Sequence, residues 1–142
     1  MGALVDVNVL VALMHARHVH SAPAVRWLAG QDEVGVVAVC RVSQMGALRI
    51  LTHPVPMKTE VKSAPEFWDG WDRMIEDDRF VLVGEPSGLE SAWRALTAAL
   101  PRGKTAETDC YLAAFAIAGN HRLVSFDRGL RRFADLDLVV PT

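Results

Sequence analysis

The run Val34-Gly35-Val36-Val37-Ala38-Val39 carries no polar residue at either parity, so a strand built from it has two apolar faces and needs cover on both. Strands of that kind belong to parallel sheets, whose crossover helices supply the cover. The rest of the chain has the required alternation. Ala3-Leu4-Val5 reads as a first strand running into a helix over Val9–Met14, with Asp6 and Asn8 at the junction. A second helix is expected from Ser21, with Pro23 in its first turn, to the stop at Gly30. Further helices are expected over 42–51, 65–75, 89–100 and 105–118, the last with Thr105 as N-cap and Gly119-Asn120 as its end. Strands are expected over 79–83, 123–126 and 136–140. The stretch 53–59, with Pro54 and Pro56, is the strongest loop signal, and it is too short to link two domains. The expectation is a single domain over residues 1–142, a three-layer α/β/α sandwich around a central parallel sheet.

Composition narrows the function classes. Half of the residues (51%) are hydrophobic and 23% charged, the profile of a water-soluble globular protein. No apolar run reaches the roughly 18 residues of a membrane helix, and the apolar opening lacks a basic leader and a small-residue cleavage site. A cytoplasmic protein is the expectation. Cys40 and Cys110 show no CxxC spacing and read as buried small hydrophobes. A net charge of −2 argues against a general polyanion binder, but not against an enzyme that meets nucleic acid through bound metal and a local basic patch.

Three aspartates carry the chemistry. Functional crevices of open α/β sheets lie beyond the carboxyl ends of the strands, and Asp6 and Asp127 both follow a strand run. A lone aspartate there is often only a turn or cap residue. Asp109 shares a helix face with Leu112, Ala113 and Ala116, a stripe expected to lie on the sheet and to aim the carboxylate inward. An inward carboxylate needs compensation. The helix N-terminus can supply it, or a divalent cation shared with Asp6 and Asp127 can. Carboxylate clusters select hard ions such as Mg2+ or Mn2+. Asn8 and Ser125 are placed to hydrogen-bond the carboxylates.

The segment Leu4-Val5-Asp6-Val7-Asn8-Val9-Leu10 resembles the opening of PIN-domain nucleases, in which a strand delivers the first catalytic aspartate. Thr108-Asp109-Cys110-Tyr111-Leu112-Ala113-Ala114 resembles their third acidic motif, and Leu123-Val124-Ser125-Phe126-Asp127-Arg128-Gly129 their fourth. Compact size and the turn Arg49-Ile50-Leu51-Thr52-His53-Pro54 are most similar to VapC-type toxins. The resemblance implies RNA cleavage with Mg2+ or Mn2+, catalytic and metal-holding roles for Asp6, Asp109 and Asp127, a homodimer, and inhibition by a small antitoxin protein. One departure stands out. The family's second acidic residue falls by position on Ser43-Gln44-Met45-Gly46, where Gln44 brings an amide oxygen without charge. Gln44 shares a face with Leu48 and Leu51, so an inward amide is expected, with weaker metal binding and a single ion as the consequence.

Glu107 is a lesser candidate for the missing charge. Arg128, Arg131 and Arg132 form a basic strip beside Asp127, and Arg128 is the candidate contact to RNA phosphate. His15, His18 and His20 cluster without a cysteine or carboxylate at zinc spacing and read as loop residues. The tryptophans Trp27, Trp68, Trp71 and Trp93 fall at helical apolar positions and read as packing. Two other classes stay open. One is a PIN module that has lost a carboxylate and only binds RNA or protein. The other is a phosphatase-like hydrolase, disfavoured because Asp6-Val7-Asn8 lacks the second aspartate of a DxD nucleophile.

Overall fold

A computed structural model describes all 142 residues. Five strands, β1 (Gly2–Val5), β2 (Val37–Cys40), β3 (Phe80–Val83), β4 (His121–Val124) and β5 (Leu138–Val139), form one sheet in the order β3-β2-β1-β4-β5, every pair parallel. The helices are α1 (Val7–Met14), α2 (Ser21–Ala29), α3 (Arg41–Leu51), α4 (Pro54–Met57), α5 (Ala64–Ile75), α6 (Leu89–Ala98) and α7 (Glu107–Ala118).

The period of two in the strands sorts their side chains into two cores. Ala3, Val5, Val37, Val39 and Val124 pack on one face with Val9 and Leu10 of α1, Leu51 of α3, and Phe67 and Trp71 of α5. Leu4, Ala38, Cys40 and Leu123 pack on the other with Tyr111, Leu112 and Phe115 of α7 and Leu89 of α6. Both faces of β1 and β2 are therefore dry, as the apolar run demanded, and the three-layer sandwich is realised. Both cysteines are free and buried.

Local differences from the sequence reading have local causes. Gly35 adopts φ +69°, a left-handed turn that an L side chain resists, so Val34-Gly35 is a bend and β2 begins at Val37. The proline-rich stretch 53–59 is ordered: Pro54 sits at the start of α4, and the His53 ring nitrogen Nδ1 accepts the Val55 N–H, before a 3₁₀ turn at Lys58–Glu60. Thr105 does not cap α7; Ala106 occupies that position without a side-chain bond. The fourth strand runs His121–Val124, so Ser125 and Phe126 lie just beyond it, where the Ser125 hydroxyl and the Phe126 N–H bond within the site described below. The edge strand β5 shrinks to two residues, and α6 stops at Ala98.

The joint that aligns the sheet with the helix after β2 is a buried hydroxyl. Ser43, fully buried in the first turn of α3, donates to the Val5 carbonyl at 2.9 Å, one residue before Asp6. Ser43→Ala leaves that carbonyl without its hydroxyl donor in a site closed to water. The expected cost is about 1–2 kcal/mol of stability, read from the shift in chemical denaturation midpoint.

Candidate active site

Asp6 follows β1 and begins α1. Its N–H donates to the Val124 carbonyl at 2.9 Å, extending the pairing of β1 with β4. Its Oδ1 accepts the Val7 N–H at 2.7 Å and so caps α1. The second oxygen, Oδ2, accepts the Ser125 hydroxyl at 2.7 Å. Ser125 Oγ in turn accepts the Asp127 N–H at 3.0 Å and the Asn8 amide at 3.1 Å, while Asn8 Oδ1 accepts the Phe126 N–H at 3.1 Å. Asn8 and Ser125 thus lock the segment after β4 onto the start of α1, with Asp6 at the centre of the net.

Asp6 is only 8% exposed. Burial pushes its carboxyl above the usual range, the Ser125 and Val7 bonds pull it back, and the charges of Asp109 and Asp127 push it up further. The three aspartates are therefore electrostatic neighbours at the carboxyl edge of the sheet. Asp127 is exposed, and its Oδ1 accepts the Gly129 N–H at 2.8 Å, capping a 3₁₀ turn over Arg128–Arg132.

Asp109 departs from the expected inward stripe. Helix α7 is buried on nearly all sides from Cys110 to Ala116, because α6 covers its back while the sheet covers its front. Asp109 stands in the first turn with its side chain 40% exposed, its Oδ2 accepting Arg132 Nη2 at 3.2 Å. The amide of Gln44 is inward, 3% exposed, and its Oε1 accepts Arg41 Nη1 rather than any group of the aspartate cluster. Glu107 is exposed and its side chain joins none of these groups, although its carbonyl accepts the Trp93 indole N–H. Arg128 is exposed and makes no side-chain hydrogen bond or ion pair. The strip's structural cation is Arg132, which only the fold singles out from its neighbours.

The donors fit a hard divalent ion: carboxylate oxygens of Asp6, Asp109 and Asp127, with a desolvated charge on Asp6 that like-charged neighbours disfavour. No group of three His, Cys, Asp or Glu side chains is drawn together closely enough to hold an ion in this arrangement. A shared ion requires the carboxylates to draw closer, and Asp109 Oδ2 is the carboxylate oxygen there that already meets a cation, Arg132. A cleft of about 550 Å3 lies alongside, lined by Val7 and Thr108, the neighbours of Asp6 and Asp109, and by Arg49. Beside Asp127 in sequence, the Phe126 ring is stacked by the exposed His20 ring at 4.3 Å between centroids.

A family model described as "PIN domain" matches residues 3–136. The chain is 35% identical over 140 residues to a ribonuclease, VapC41, of Mycobacterium tuberculosis, with 95% of each chain covered. Its fold matches VapBC2 of Rickettsia felis bound to a promoter DNA fragment, at TM-score 0.70 and 17% identity over all of both chains. It also matches a toxin–antitoxin complex from Klebsiella pneumoniae, at TM-score 0.65 and 15% identity, covering 99% of this chain and 98% of the other.

The raised carboxyl of Asp6 has a stability signature. A carboxyl whose folded value lies above its unfolded one contributes fully at low pH, and that contribution is lost as pH rises from the unfolded value through the folded one. Asp6→Asn keeps the cap on Val7 without the buried charge. In chelator at neutral pH the variant is expected to melt above wild type, and the gap should close below the ordinary carboxylate range. Equal melting temperatures at neutral pH would contradict the buried charge.

Proposed function

Because the chain belongs to the PIN-domain family, we propose that it is a Mg2+- or Mn2+-dependent endoribonuclease, the toxin of a toxin–antitoxin pair. The observation that carries this reading is the carboxyl of Asp6 at the carboxyl edge of the sheet, raised chiefly by burial and further by the nearby charges of Asp109 and Asp127. Its likeness to ribonuclease VapC41 over nearly the whole chain supports the choice of RNA, and the likeness to the K. pneumoniae complex supports an antitoxin partner. A homodimer and a cytoplasmic location belong to the same reading. No helix is long and apolar enough to cross a membrane.

Asp6, Asp109 and Asp127 would hold the divalent ion, while the Gln44 amide oxygen stays on Arg41. Such an ion, when bound, lowers the pKa of a water and offsets charge building on the phosphate. The chain's own residues do the rest. Ser125 and Asn8 hold Oδ2 of Asp6 while its Oδ1 caps α1, so the carboxylate is fixed in one orientation. Asp127 is held by its own turn through Gly129, so its remaining oxygen is the free one. Arg49 at the cleft and the unpaired Arg128 beside Asp127 supply cations for the RNA backbone without reading sequence. No side chain is required as nucleophile.

Cleavage of RNA by purified protein in Mg2+ or Mn2+, followed on gels, tests the reading. Asp6→Asn and Asp109→Asn should each lower the rate on the order of 100-fold, the scale of losing one group that stabilises transition-state charge. Undiminished cleavage by both variants would overturn the assignment. Gln44→Glu, which restores a fourth carboxylate, should tighten Mn2+ binding and leave Asp6→Asn inactive.

A further inference from the structure

Arg132 is more heavily engaged than its place in a surface strip suggests. Its Nη2 donates to Asp109 at 3.2 Å and its Nη1 to the Gly129 carbonyl at 2.9 Å, while its guanidinium carbon lies 4.5 Å above the centre of the Phe133 ring. Gly129 is also the residue whose N–H holds Asp127. One planar fork therefore ties Asp109 on α7 to the turn that carries Asp127, and it sits on an aromatic ring that keeps it in that plane. Its neighbour Arg131 has the same charge and none of these contacts.

Resting on the metal-dependent reading above, we propose that Arg132 is the internal counter-ion of this site: it occupies Asp109 when no divalent ion is bound and competes with the ion for that carboxylate. Arg132 is a positioning residue, acting through Asp109. The pair is suited to exchange. Both side chains are close to half exposed, at 43% and 40%, and ion pairs of that exposure are weak enough to be displaced by a divalent charge. The remaining contacts, to Gly129 and Phe133, hold the guanidinium close by after Asp109 turns away, so opening the pair does not release the arginine to solvent. The chain thereby compensates for carboxylates crowded around a buried Asp6 while it carries no ion, without a permanent buried salt bridge that an ion would have to break at high cost.

Direct Mn2+ binding, by titration calorimetry or by loss of the free-ion paramagnetic resonance signal, reads the competition without reference to catalysis. Arg132→Gln removes the competitor and should tighten Mn2+ about two- to fivefold, the range a half-exposed ion pair corresponds to. Arg132→Lys keeps the charge but cannot bridge Asp109 and Gly129 with one fork, so it should tighten Mn2+ by less; it also decides the matter if the glutamine variant does not fold. Arg131→Gln removes an equal charge two positions from Gly129 and should leave affinity unchanged. Unchanged or weaker Mn2+ binding in Arg132→Gln, or equal tightening in Arg131→Gln, overturns the proposal. Wild-type protein that binds no Mn2+, or binds it undiminished as Asp6→Asn, overturns the metal-dependent reading itself, a result distinct from a failure of Arg132 alone.

Discussion

The architecture at the site depends on one side chain that serves two elements at once. Asp6 caps α1 with one oxygen and accepts the Ser125 hydroxyl with the other, so the end of β1, the start of α1 and the segment after β4 are joined at a single carboxylate. Neighbouring parallel strands are linked along their length by backbone bonds, but those bonds stop at their ends. Beyond the Asp6 N–H bond to the Val124 carbonyl, the two exits are aligned by side chains. Asn8 completes the joint by bonding the Phe126 N–H and the Ser125 hydroxyl. The segment leading to Asp127 is thus held against Asp6 rather than left as a free loop.

That joint comes with an electrostatic burden. A carboxylate with 8% exposure loses most of its hydration, and two more acidic residues stand within electrostatic reach. Backbone and hydroxyl donors satisfy its oxygens but bring no net charge. Two of the nearby positive charges are already engaged, Arg41 with Gln44 and Arg132 with Asp109. The first explains a feature of the amide at position 44: in place of a carboxylate it neither adds to the repulsion around Asp6 nor goes without a partner, because Arg41 satisfies its oxygen. The second places a cation at a carboxylate that is still partly open to solvent, where exchange for another cation is easier than at the buried Asp6.

Much of this was legible from residue order. The alternation of dry strand runs with helices, the placing of Asp6 and Asp127 after strands, and the bonding of Asn8 and Ser125 to the carboxylate all follow from period and position. Errors of detail arose where a residue is read by its type but used by its surroundings. Thr105 has the chemistry of a cap, yet Ala106 takes the position. Asp109 lies on an apolar stripe, but its helix is covered on both sides, so the stripe did not set the direction of its first turn. The paired prolines announce irregular backbone, but their fixed φ also suits the first turn of a short helix.

The sequence by itself determined the layers and the order of the acidic residues, because hydrophobic period and covalent succession act over a few residues. It also determined that position 44 carries no charge. Only the tertiary structure decided which partner each charged group meets. Arg132 reaches Asp109 across 23 positions, Ser125 reaches Asp6 across 119, and His20 lies flat on Phe126. Three arginines within five residues are equivalent in composition. The 3₁₀ turn that Asp127 caps brings one of them against Asp109, and its geometry is set by packing of Leu130 into the sheet's second core, which no local pattern encodes.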